Sequence, residues 1–149
     1  MAWEDPILYQ WDSNLETGNG KIDSQHRQLI GMVNKLIEAS SRGKDAAVVT
    51  EALDFLASYA VDHFADEEQL QQAYAYPDYG DHKRKHDDFK AVVTGLIQRV
   101  KKEGPSEELI EVVCNTIGSW LLDHIMGDDF RMASFIKAAD IARELTEGK

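Results

Sequence analysis

The sequence predicts an all-α fold: an antiparallel up-and-down four-helix bundle with an N-terminal arm and a short C-terminal extension. Two observations carry this. Four segments place their apolar residues three or four positions apart, the spacing of one helix face. Turn-forming stretches separate them at "TGNGK" (17–21), "SSRGKD" (40–45), "YPDYG" (76–80) and "KKEGPS" (101–106). The alternating pattern of a strand is missing throughout. Four helices joined by short loops can only run alternately up and down.

The first helix is expected to begin at Asp23 or Ser24, either of which could cap it, and carries the stripe His26, Leu29, Val33, Leu36. The second follows Asp45 and carries Ala52, Leu56, Tyr59, His63, Glu67 and Leu70. The third carries His82, His86, Phe89, Val93, Leu96 and Val100. The fourth opens after Pro105-Ser106, a strong start signal, and carries Leu109, Val113, Ile117, Trp120 and His124. The final stretch, "FIKAADIARELTEGK", is helical in composition but carries no motif. One domain over residues 1–149 is expected, with a core of about 11–135 and an extension over 136–149. Trp3 and Trp11 are expected to pack the arm on the bundle.

Composition narrows the partners. A net charge of −11 argues against nucleic acid or an anionic membrane surface, because phosphate would be repelled. No run of apolar residues is long enough to span a bilayer. The opening "MAWEDPILYQW" lacks the pattern of a secretory signal. A single cysteine, Cys114, cannot form an internal disulfide, which fits a cytoplasmic location. Cys114 itself reads as a small core residue. Oligomeric state is not legible.

The histidines sit on the wrong face. All five of them, His26, His63, His82, His86 and His124, continue the apolar stripe of their own helix, and so does Glu67. Residues four apart differ by only about 40° around a helix, so His63 projects with Glu67 and His82 with His86. A single inward histidine is usually a core residue with an ordinary hydrogen-bond partner. Five imidazoles and a carboxylate converging in one core cannot all be satisfied that way, whereas a bound cation satisfies them together. A metal site follows. In the fourth helix, "HIMGDD" places Asp128 four and Asp129 five residues after His124. Regular geometry favours Asp128, while a π-bulge at Gly127 would swing Asp129 inward; spacing alone leaves both open. Neither HExxH nor the Glu-x-x-His pairs of ferritin-like bundles occur, and imidazole alone does not select among iron, zinc, copper and nickel.

The stretches "WDSNLETGNGKIDSQHRQLI" (11–30), "YAVDHFADEEQL" (59–70), "YPDYGDHKRKH" (76–86) and "WLLDHIMGDD" (120–129) resemble the hemerythrins, above all the bacterial ones. The resemblance runs from Trp11 to about Phe135. It implies a non-haem di-iron centre bridged by an oxo or hydroxo group. By that pattern His82, His86 and His124 hold one iron, His26 and His63 the other, and Glu67 and Asp129 bridge them, which selects Asp129 over Asp128. It implies reversible binding of dioxygen or a similar small ligand for carriage, storage or delivery, with no catalytic residue and with an oxygen-accepting enzyme as the partner that delivery would require. A sensor module, or a di-iron peroxidase or nitric oxide scavenger, is the alternative. Leu29, Phe64, Trp120, Leu121 and Ile125 are implied as the walls of the oxygen pocket, although an apolar stripe is ordinarily just core. Asp62, Asp66 and Glu68 are expected to face solvent. Gln71, where the family more often has methionine, is expected to point outward.

Overall fold

A computed structural model describes residues 8–41, 46–104 and 106–147. After an extended arm and a single 3-10 turn at Ser13–Leu15, the chain forms α1 (Gly20–Ser41), α2 (Ala46–Ala73), α3 (Tyr79–Glu103), α4 (Glu107–His124) and α5 (Phe130–Glu147). A five-residue π turn, Ile125–Asp129, joins α4 to α5 without leaving helical backbone angles, so the two make one long fourth rod. The C-terminal extension is the continuation of that rod. Among the described residues there is no strand, and no helix is long and apolar enough to cross a membrane. α1 packs on α2, α2 on α3, α3 on α4, and α4 back on α1, closing the four-helix ring.

Local chemistry sets the ends. α1 begins three or four residues earlier than the sequence suggests: the Ile22 amide donates to Asn19 Oδ1 at 3.1 Å, so Asn19 is the cap in place of Asp23 or Ser24. Asp23 sits in the first turn and reaches back, its Oδ1 accepting from the Thr17 amide at 2.9 Å and the Thr17 hydroxyl at 2.7 Å. α3 ends at Gly104, whose φ of +82° only glycine adopts cheaply. Ser106 then caps α4, accepting from the Leu109 amide at 3.1 Å. Asp45 and Pro105 lie outside the described residues, as does Trp3.

The arm is tied down twice. Asn34 and Tyr9 exchange two hydrogen bonds at 2.9 Å, side-chain amide to backbone. The Tyr9 ring lies against Gly118, where a methyl group would collide with it. Trp11 packs under the Arg27 guanidinium, 5.0 Å from the ring centre.

The interior is layered. The large apolar core fills one end, from Leu29, Val33 and Leu36 of α1 through Leu53, Leu56, Val93 and Val100 to Val113 and Ile117 of α4, with Cys114 among them. A smaller one, Ile22, Tyr76, Met132 and Ile136, closes the other end. Between the two lies a slab of buried polar residues.

Candidate metal centre

The polar slab consists of His26 from α1, His63 and Glu67 from α2, His82 and His86 from α3, His124 from α4 and Asp129 from the π turn, none more than 3% exposed. Each lies at the inner face of its rod because its stripe does. Asp129 is the exception: it reaches that face because the π turn adds one residue to the turn after His124, undoing the 100° that would otherwise carry it away.

The donor atoms fall into two groups that share both carboxylates. Those of Glu67, His82, His86, His124 and Asp129 lie within 4.8 Å of one another, and so do those of His26, His63, Glu67 and Asp129. Each carboxylate is split between the groups. Glu67 Oε2 faces His63 Nε2 at 3.1 Å and His26 Nε2 at 3.4 Å, while its Oε1 faces His86 Nε2 at 3.1 Å and His82 Nε2 at 3.4 Å. Asp129 Oδ2 is 2.8 Å from His26 Nε2, and its Oδ1 is 3.0 Å from His82 Nε2 and 3.1 Å from His124 Nε2.

These approaches are short, yet the angles make no hydrogen bonds: both oxygens of Glu67 and Asp129, and the Nε2 atoms of His26, His63 and His82, are buried without a hydrogen-bond partner. His86 Nε2 and His124 Nε2 stand 2.9 Å apart, two nitrogens pointing at one space. Two buried carboxylates left this way would cost on the order of several kcal/mol each. A cation in each group removes the cost, so the residues fit a metal centre.

The electrostatics without metal agree. Burial alone would lower the pKa of His26, but Asp129 and Glu67 facing it outweigh burial and hold it up to about 9. His82 and His124 are raised against the same burial penalty by the same carboxylates. Burial would raise Glu67 and Asp129; the surrounding imidazoles overcome it and hold both below the usual carboxylate range. Protons occupy, in effect, the place a cation fits.

A second layer orients the rings. Asp128 Oδ2 sits 2.9 Å from His124 Nδ1, and its Oδ1 accepts from Lys85 Nζ at 2.7 Å. Glu68 Oε2 sits 2.9 Å from His86 Nδ1. His63 Nδ1 is 2.6 Å from Gln25 Oε1, and Gln25 Nε2 donates to Asp66 Oδ2 at 2.8 Å. Carboxylate and amide oxygens can only accept, so in each case Nδ1 carries the proton and Nε2 turns its lone pair inward. Consecutive aspartates thus divide the work, Asp129 facing the centre and Asp128 backing His124. Three sequence readings change here. Glu68 and Asp66 do not simply face solvent; they back histidines of the slab, Asp66 through Gln25. Gln71 does not point outward: it is fully buried one turn below Glu67, its amide 2.8 Å from Met132 Sδ.

Of the proposed wall residues, Leu29, Phe64 and Leu121 belong to the large core with Trp120 packed against it, while Ile125 joins Leu15 and Ile30 in a separate small cluster. Phe64 stacks on His86 with ring centres 3.9 Å apart, and Trp120 on His124 at 4.5 Å.

Residues 17–136 match the family model of the hemerythrin HHE cation-binding domain. The chain belongs to the hemerythrin family. Among hemerythrin relatives it is 37% identical to a bacteriohemerythrin of Stenotrophomonas maltophilia, covering 95% of this chain and 91% of that one. It is 33% identical to a myohemerythrin of Theromyzon tessulatum, covering 88% and 96%. A crystal structure of wild-type hemerythrin superposes with a TM-score of 0.75 at 28% identity, covering 86% of this chain and 97% of that one. The four-helix bundle is therefore the hemerythrin architecture, and the slab lies within the matched segment.

Proposed function

We propose that this hemerythrin-family chain binds dioxygen reversibly at a non-haem di-iron centre and serves oxygen carriage, storage or delivery rather than catalysis. His82, His86 and His124 would hold one iron and His26 and His63 the other, with Glu67 and Asp129 shared between the two groups. The observation that carries this reading is the split of each buried carboxylate, one oxygen to the three-histidine group and the other to the two-histidine group. Five imidazoles and two shared carboxylates would give the His26/His63 side one imidazole fewer than the other, so dioxygen would be taken up on that side. When bound, such a pair would supply electrons to dioxygen on binding and take them back on release. The chain supplies a dry surround: Phe64 and Trp120 shield the His86 and His124 rings, and Leu29, Leu121 and Ile125 keep water from the inner face. The compartment is cytoplasmic, where thiols such as Cys114 stay reduced.

The test is a spectrum. Protein reduced without air and then exposed to it should develop a visible colour that bleaches under vacuum and returns. Rapid, irreversible oxidation would favour a sensor or an enzyme. Zinc in place of iron on elemental analysis, with no colour, would end the oxygen reading.

A further inference from the structure

The two halves of the centre are backed differently, and the difference lies outside the ligand set. In the three-histidine half, His86 and His124 each lean on a carboxylate, Glu68 and Asp128, whose side chains are only 15% exposed. In the two-histidine half no carboxylate touches Nδ1 of either ring among the described residues. His63 leans on the neutral amide of Gln25, and the nearest carboxylate, Asp66, stands one link further out with 42% of its side chain exposed. His26 Nδ1 is buried with no partner among the described residues. A carboxylate behind an imidazole makes it a stronger donor, and that effect falls with distance and with exposure to water.

We propose that Gln25 is a positioning residue that orients His63 while withholding charge from it, making the His26/His63 half the weaker, so that the ions load in order, three-histidine half first. This rests on the two-ion reading above. Three nitrogens against two would give the same order by number alone, so the test must move charge and leave the nitrogens untouched. The double substitution Gln25→Glu/Asp66→Asn does this. The carboxylate introduced at 25 accepts from His63 Nδ1 and from the amide introduced at 66, so hydrogen bonds and net charge are conserved while the charge moves one link closer to the ring.

Metal-free protein is titrated with Co²⁺ and followed by visible absorption, with helix content checked in parallel. Two steps are expected in the unmodified chain. The swap should tighten the second by about tenfold and leave the first within about twofold. Glu68→Gln should instead weaken the first step by about tenfold. A folded swap variant whose second step is unchanged or weaker overturns the role of Gln25. Uptake of fewer than two Co²⁺ by the unmodified chain overturns the two-ion reading and this proposal with it. Two ions with an unmoved second step overturn this proposal alone.

Discussion

His124 shows how much one side chain is asked to do. Its Nε2 meets Asp129 on one side and His86 on another, its Nδ1 is backed by Asp128, and Trp120 stacks on its face. Truncating it removes a nitrogen that no neighbour replaces and leaves Asp128 Oδ2 without its imidazole partner, while Lys85 still holds Oδ1. His124→Ala is expected to purify with fewer than two irons per chain by elemental analysis; full retention would remove it from the ligand set. The same residues fix how the metal-free protein responds to pH. His26 is raised from 6.5 to about 9, so its contribution to stability is complete below pH 6.5 and is lost as pH rises through about 9. Glu67 and Asp129 are lowered from 4.5 and 3.8, so theirs is complete above those values and is lost as pH falls. Chelator-stripped protein should therefore melt at a higher temperature at pH 5.5 than at pH 9. Metal binds deprotonated nitrogen, so loading should favour the higher pH. The reverse order of melting in the stripped protein would mean that the carboxylates do not govern His26.

At the scale of elements, periodicity carried far but not everywhere. The inward turn of His26, His63, His82 and His86 was legible because each continues an apolar stripe on an unbroken helix. Asp128 and Asp129 were not separable, because a π turn changes the angle between neighbours and nothing in "HIMGDD" but Gly127 hints at it. Glu68 was misread for another reason: it is about 100° from Glu67 on its own helix, but its partner His86 is on a different one, and single-helix periodicity cannot see across. Gln71 did carry a signal, since it lies four residues after Glu67 on the same face. The contact between arm and α4 was invisible, because the arm has no period. Gly118 sits mid-helix, where glycine costs about 1 kcal/mol relative to alanine. Its reason is Tyr9, whose ring occupies the space a methyl would need. In a Tyr9→Ala background Gly118→Ala should stabilise by about 1 kcal/mol in denaturant unfolding. With Tyr9 present that gain should vanish or reverse, and an equal gain in both backgrounds would mean the ring simply moves aside.

The molecule as a whole is a polar slab held between two unequal apolar ends. The end containing Leu36, Leu53, Val93 and Val113 draws buried apolar side chains from all four rods. The other end relies on Ile22, Tyr76, Met132 and Ile136, helped by the Tyr74 hydroxyl donating to Asp140 at 2.6 Å, and it includes a buried amide oxygen on Gln71 with no partner. Whatever neutralises Glu67 and Asp129 therefore matters unequally to the two ends. A bound ion stabilises the native state by mass action and does so through ligands that tie all four rods at the slab. Removing it should leave the large end intact and loosen the small one. Hydrogen exchange on the stripped protein should show protection retained over Val49–Leu56 and Val93–Val100 and lost over Leu70–His86 and Asp129–Asp140, with far-ultraviolet helix signal largely kept. Returning iron should restore protection in the second set. Uniform loss along all four rods would mean that the slab, rather than the large core, holds the bundle together.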